Sequence, residues 1–235
     1  TTTATVNTGT ISGAIDIDVS GTGTVNLPGT LVTTGAANNA GTGSAGGAVT
    51  IDTADGVIAV NAITTTGGAA TAGVNIGGAA GVITINTGTN NNITLNSNLT
   101  AEGGAGFGGG AQGAGGTITI SDPGLLGAGI TISTGATAGN IVFSSTLNNA
   151  QTLGLTAGTG EITFTGIVGG TAPLAAVTIN SAANVTATTF SAASLTQSAG
   201  TGTTTLNGVV TLTTGATQLA LTTATIDINE SVTTV

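Results

Sequence analysis

Apolar and polar residues alternate along this chain. Ile15, Ile17 and Val19 bracket Asp16 and Asp18, and Ile226 and Ile228 bracket Asp227. A two-residue period puts apolar side chains on one face of an extended segment and polar ones on the other, so these stretches predict half-buried β-strands. The strands are short, roughly 3–6 residues, and end at Gly, Asn and Asp turns. No long window repeats at the helical period, and the density of Gly and Thr opposes helix.

The strands recur. Val49-Thr50-Ile51-Asp52 aligns with Ile83-Thr84-Ile85-Asn86 and with Ile118-Thr119-Ile120-Ser121, at offsets of 34 and 35 residues. Each tetrad leads through a turn to a second strand, at 57–60, 93–96 and 129–133. The first two copies then enter Gly/Ala-rich stretches, 67–81 and 103–116, which the third skips. This predicts a unit of about 20–25 residues with glycine-rich loop insertions on one side. Further on, Phe164, Gly166 and Val168 match Leu206, Gly208 and Val210 at an offset of 42 residues, as two turns of about 21 would. The whole of 1–235 reads as one solenoid, with insertions over 14–144 and more regular laps over 145–230.

Composition narrows the architecture. Aromatic residues are 2%, and only Phe107, Phe143, Phe164 and Phe190 carry bulky rings. A sandwich of this length normally shows larger core side chains and longer strands. A thin core of Val, Ile, Leu and Thr suits an all-β parallel β-helix, whose laps stack about 4.8 Å apart. Some 8–11 laps then give a rod of roughly 40–50 Å. The 42 glycines and the abundant Thr, Ser and Asn resemble low complexity, but the regular Val/Ile alternation opposes disorder. Stacked Lys or Arg would repel along a ladder, whereas stacked Thr and Asn can hydrogen-bond.

Charge excludes several function classes. Nine carboxylates and no Lys, Arg or His give a net charge of -9. Nucleic-acid binding needs cationic side chains for the phosphates, as does adhesion to anionic lipid, so neither partner is expected. No apolar run reaches the ~18 residues of a membrane helix, and no membrane insertion is expected. Trypsin has no cleavage site. Residues 1–13 carry neither an initiator Met nor a leader pattern, so the chain reads as processed or as part of something longer. Neither Thr1–Thr10 nor Ser231–Val235 has the charged or Pro-rich blunting that protects an open β edge. The coil is therefore expected to continue, covalently or by end-to-end self-association.

Candidate chemistry is sparse. Zero Cys excludes disulfides, zinc–thiolate sites and thiol catalysis. Without His, Lys, Tyr or Arg, a Ser or Thr nucleophile lacks its usual base. Carboxylate pairs remain: Asp16/Asp18 on one strand face, Asp52/Asp55 and Asp227/Glu230 beside turns. Glycosidic chemistry needs two carboxyls about 5–9.5 Å apart in a sugar-binding cleft, and no Trp or Tyr platform exists. These groups read as solvated faces and turn caps. "GGAGFGGGA" at 103–111 resembles a calcium-roll repeat, but Gly108 stands at the aspartate position. Asp16/Asp18 or Asp52/Asp55 as a weak ion site is the lesser alternative to turn chemistry. No GxxxxGK phosphate loop exists without Lys. Asn92, Asn98, Asn184 and Asn229 fit the glycosylation pattern at the frequency such a composition gives by chance. Thr-x-Thr stretches at 64–66, 117–119, 163–165 and 203–205 suggest an ice-binding array. Their spacing follows no single lap length, and the insertions are expected to interrupt the plane. No residue is assigned a catalytic, cofactor-binding or metal-ligating role, and no cofactor is expected.

"AGGAVTID", "GGTITIS", "NAITTTGGAATAG" and "GTAPLAAVTINSAANVTATTF" resemble the stalk repeats of filamentous-haemagglutinin-like and autotransporter-like bacterial surface adhesins. The resemblance covers most of 11–230. It implies a right-handed parallel β-helix, export across the outer membrane and an extracellular place on the cell surface. The secretion-signal domain and the membrane barrel of that family are not recognisable. The expectation is a structural, non-enzymatic segment of an adhesin or extracellular filament that meets a host surface, an abiotic surface or a glycan. The alternatives are a solenoid that binds ice or glycan and, last, an acidic-residue polysaccharide lyase or hydrolase.

Overall fold

The computed structural model describes residues 12–214 and 217–235. The expectation of an uncapped end at Thr1–Thr10 lies outside them. Among the described residues there is no helix, and all pairings between strands are parallel.

Three strands make the first lap: β1 (Ile15–Val19), β2 (Val25–Leu27) and β3 (Leu31–Val32). The second lap is β4 (Val49–Thr53), β5 (Ile58–Val60) and β6 (Ile63–Thr64). The third is β7 (Ile83–Asn86), β8 (Ile93–Leu95) and β9 (Leu99–Thr100). The fourth is β10 (Ile118–Ile120), β11 (Gly124–Leu126) and β12 (Ile130–Ser133), and the fifth β13 (Ile141–Phe143), β14 (Leu147–Asn148) and β15 (Leu153–Thr156). Then come β16 (Ile162–Phe164) with β17 (Leu174–Ser181), and β18 (Val185–Ala187) with β19 (Phe190–Gln197). The chain closes on β20 (Thr203–Leu206), β21 (Val210–Leu212), β22 (Leu219–Leu221), β23 (Thr225–Ile228) and β24 (Val232–Thr234).

The first strand of every lap joins one nine-stranded sheet, β1-β4-β7-β10-β13-β16-β18-β20-β23. A five-stranded sheet takes β2, β5, β8, β11 and β14, and a ten-stranded sheet runs from β3 to β24. The chain visits the sheets in turn and lays each lap on the one before, the arrangement of a parallel β-solenoid. Hairpins would have paired consecutive strands antiparallel.

Register follows side-chain identity. The inward column Ile15–Val49–Ile83–Ile118–Ile141–Ile162–Val185 runs through seven laps of the nine-stranded sheet. Successive members are 34, 34, 35, 23, 21 and 23 residues apart. The 42-residue offset from Phe164 to Leu206 spans two laps, with Ala187 between. β-Branched side chains suit these columns because their one favoured rotamer leaves little freedom to lose. Where the column beside them widens, Phe143 and Phe164 stack at 5.1 Å and 2°, and Phe190 meets Phe164 edge-on at 5.8 Å. One corner disappears in the later laps. β19 is continuous, pairing through Phe190 with Val210 and through Leu195 with Leu219.

The Gly/Ala-rich stretches, expected as free insertions, are hydrogen-bonded legs stacked like the strands. Outgoing legs bond to outgoing legs: Gly35 and Asn38 donate to the carbonyls of Thr66 and Ala69, and Gly67 and Ala70 to those of Glu102 and Ala105. Returning legs do the same, Gly77 and Ala80 donating to Ala111 and Ala114. Donors fall every third residue, the rhythm of polyproline II rather than the two of a strand. A second set of bonds threads the two kinds of leg together, from Gly68 to Ser44, Gly78 to Gly68, Gly104 to Gly78 and Gly113 to Gly104, at 2.7–2.9 Å. The legs lie so close that a Cβ on Gly78 would sit 2.0 Å from the Ser44 carbonyl oxygen.

A threonine closes three of the corners where the chain leaves the sheets; in the third lap Ala101 stands there and accepts the Gly116 N–H through its carbonyl alone. The buried Thr33, Thr65 and Thr134 hydroxyls donate to the carbonyls of Gly47, Gly81 and Gly139 at 2.5, 2.6 and 2.7 Å. Gly47 and Gly81 return N–H bonds to Thr33 and Thr65.

Candidate functional site

The nine-stranded sheet turns its even-numbered β1 positions outward, and the register carries them through the whole coil. One outward column begins at Asp16 and ends at Asp227. Between them stand Thr50, Thr84, Thr119, Val142, Thr163, Thr186 and Thr205, each directly opposite the next. Laps of unequal length thus deliver Thr to one line, because the variable residues sit in the legs and turns. The plane is not interrupted by the Gly-rich stretches. Among the described residues, none of the six Thr hydroxyls has a protein partner.

The flanking columns are ladders too. Asn140 Oδ1 accepts from the Glu161 N–H at 2.9 Å, Asn184 Nδ2 donates to Glu161 Oε1 at 2.9 Å, and Asn184 Oδ1 accepts from the Thr203 N–H at 2.8 Å. On the other side Asn86 Nδ2 donates to Asp52 Oδ1, and Asn229 Nδ2 to Asn207 Oδ1.

The carboxylates are distributed among local tasks. Asp18 lies opposite Asp52, so the first two laps bring these together across strands rather than as the pairs Asp16/Asp18 and Asp52/Asp55. Asp122 is buried and accepts the Thr87 N–H at 2.6 Å. Glu102 accepts from the Ser133 hydroxyl. Asp227 and Glu230 are exposed in the last lap. Among the described residues no group of three or more His, Cys, Asp and Glu lies close enough to hold a metal ion. Gly108, at the ligand position of the calcium-like stretch, takes φ +61° at the tip of a leg. Of the four glycosylation candidates, Asn98, Asn184 and Asn229 have side chains engaged in ladder bonds, Asn98 Oδ1 accepting from the Thr131 N–H.

Asp55 sits on an exposed turn, where Thr89 Oγ1 donates to it at 2.6 Å and Asn91 Nδ2 at 3.0 Å. These bonds, Thr89 first, favour the carboxylate and hold its pKa below the ordinary 3.8. A depressed folded value contributes stability that is complete above the unfolded value and is lost as pH falls through the folded one. Asp55→Asn should therefore flatten the acid limb of thermal stability. Melting followed over about pH 2–5 checks this, the wild type losing more over that span than the variant.

The last lap exposes its inward columns. Ile226 and Ile228 continue the core of the nine-stranded sheet, above Thr204 and Leu206, yet are 48% and 42% exposed. Val232 lies opposite Val210 and is only half-buried.

The sequence showed the strands and the carboxylates but not the Thr column or the buried corner threonines. The corners did leave a signal: Thr33, Thr65 and Thr134 each precede a Gly within two residues, just after a short strand. Nor was the buried bond from Thr204 Oγ1 to Gln197 Oε1, 2.5 Å, visible in any pattern. No family model, curated protein or solved structure matches the chain.

Proposed function

We propose that the chain is a structural, non-enzymatic segment of a bacterial cell-surface adhesin or extracellular filament, wound as a right-handed coil. Right-handedness is what parallel crossover connections overwhelmingly adopt. The resemblance of the repeats to adhesin stalks supports the extracellular setting. The observation that carries the reading is the uninterrupted stacking of parallel laps, with one inward column running in register from Ile15 to Val185. Along the whole coil each lap presents the edges of the nine- and ten-stranded sheets to the next. End-to-end stacking of a second copy would extend the coil in the same register.

The work of such a segment is mechanical: spacing, building fibres, and meeting a host surface, an abiotic surface or a glycan through neutral side chains. With no Lys or Arg it offers phosphate nothing, so nucleic acid is not its partner.

Cryo-electron microscopy of the intact natural protein tests this. Long rods are expected, with strand stacking continuous across each junction. Ile228→Lys places a charge in the exposed column and should leave short particles, with the β-sheet circular dichroism unchanged. Short isolated particles of the unsubstituted protein at every concentration would overturn the end-to-end reading.

A further inference from the structure

We propose that the outer face of the nine-stranded sheet binds ice. This goes beyond the mechanical role and stands whether or not the laps continue.

The face is a two-dimensional array. Along the coil its central column repeats Thr at the rung spacing, about 4.8 Å, and along each strand the outward columns lie about 6.6 Å apart. Thr119, Thr163, Thr186 and Thr205 each have a hydroxyl-bearing or amide neighbour in an adjacent column. The one break in the column is Val142, which keeps the branched shape of Thr. Ice exposes planes of oxygen atoms that repeat at a few ångströms in two directions. A ligand that is itself a lattice is what such a repeat can read.

Three observations separate this face from an ordinary solvated one. Its six column hydroxyls are unpartnered among the described residues and stand in one column, whereas the matching outward column of the ten-stranded sheet, Thr131–Gly154–Thr178–Thr196–Ala220, holds three and is broken by Gly and Ala. Elsewhere in that sheet Ser133 donates to Glu102, and Thr156 accepts from Asn180. Register is another difference: the ten-stranded sheet slips between Leu155 and Thr156, while the column from Asp16 to Asp227, Thr in six of its nine strands, runs in step. Charge is the third. From Val82 to Asn207 the three outward columns hold one charged residue, Glu161, already engaged by Asn184. A neutral face suits a neutral lattice. It has no aromatic or Arg anchor of the kind that dominates protein interfaces. Threonine adds stiffness, since its χ1 is restricted by β-branching. Little side-chain freedom is then left to lose when lattice waters replace mobile ones on hydroxyl and methyl.

Thermal hysteresis and partition into slowly grown ice test the proposal on the unmodified chain. The wild type should shape ice, depress its growth and concentrate in the frozen fraction. Thr163→Tyr and Thr186→Tyr raise a bulky ring from the middle of the array and should abolish both effects, with circular dichroism confirming the fold. Thr178→Tyr, outward on the ten-stranded sheet, should leave them intact. Rejection of the wild type by growing ice overturns the proposal, as does equal behaviour of column and control variants. So does adsorption to microcrystalline cellulose lost in the same two variants without any effect on ice, which would make the face a glycan platform.

Discussion

Gly104→Ala is expected to destabilise the first three laps by about 3 kcal/mol or more, the upper end of what an added carbon costs in a packed interior. The new Cβ would lie 2.0 Å from the Gly68 carbonyl oxygen and 2.4 Å from its carbon. Both obstacles are backbone, so no side chain can rotate away. Gly104 cannot retreat either. Its N–H donates to Gly78 at 2.8 Å, and its carbonyl accepts from Gly113 at 2.9 Å, so any shift lengthens bonds on both sides. Gly29→Ala is the matched control. A Cβ there meets nothing within 4 Å and φ is unexceptional. That change should be neutral, or stabilising by up to ~1 kcal/mol through the unfolded chain. Urea unfolding with hydrogen exchange distinguishes the two. Laps in a solenoid contact mainly their neighbours, so exchange should accelerate around 34–116 before it does in the C-terminal laps. A Gly104→Ala protein as stable as wild type would mean that the legs are not packed against one another.

Phe164→Ala is expected to cost about 3–5 kcal/mol, the usual range for removing a buried ring. Phe164 is 1% exposed, lies face to face with Phe143 and receives the edge of Phe190. Every other large core residue in its neighbourhood is aliphatic, and the laps above and below are held in register by backbone ladders. The cavity therefore has few means of collapse. Phe107→Ala removes a ring of the same size that is 49% exposed at a leg tip, and should change stability by well under half of that. Chemical denaturation of the two variants checks the contrast; equal losses would place the aromatic stack outside the stability core.

What the sequence disclosed and what it concealed divide along a physical line. Alternation of Ile and Val with polar residues gave the strands, because burial on one face is written directly in side-chain hydrophobicity. The 34- and 35-residue offsets gave the register of Val49, Ile83 and Ile118, because stacked positions share one chemical environment. The legs look like loops in the sequence because they are held by main-chain bonds, and a backbone partner leaves no mark on the residue type beyond the demand for no Cβ. The Thr column escaped for a different reason. A fixed-period comparison aligns positions by distance along the chain. Thr119, Thr163 and Thr186 are brought to one line by laps of different length. The merging of two sheets through β19 was equally hidden, since "FSAASLTQ" alternates no differently whether or not a corner follows Ala192.

The corner threonines separate the circumference of the coil from its pitch. Thr33 and Thr65 fasten the point where the chain leaves the sheets to the point where it comes back, across 14 and 16 residues, and Thr134 does so across 5. The ladders on either side are the same in each case. Extra chain added beyond such a clasp closes a loop whose ends are already fixed, and the entropy of closure grows only slowly with length. New segments can thus be accepted at these corners while the stacking of the laps is conserved, which makes them the natural points of divergence between one lap and the next.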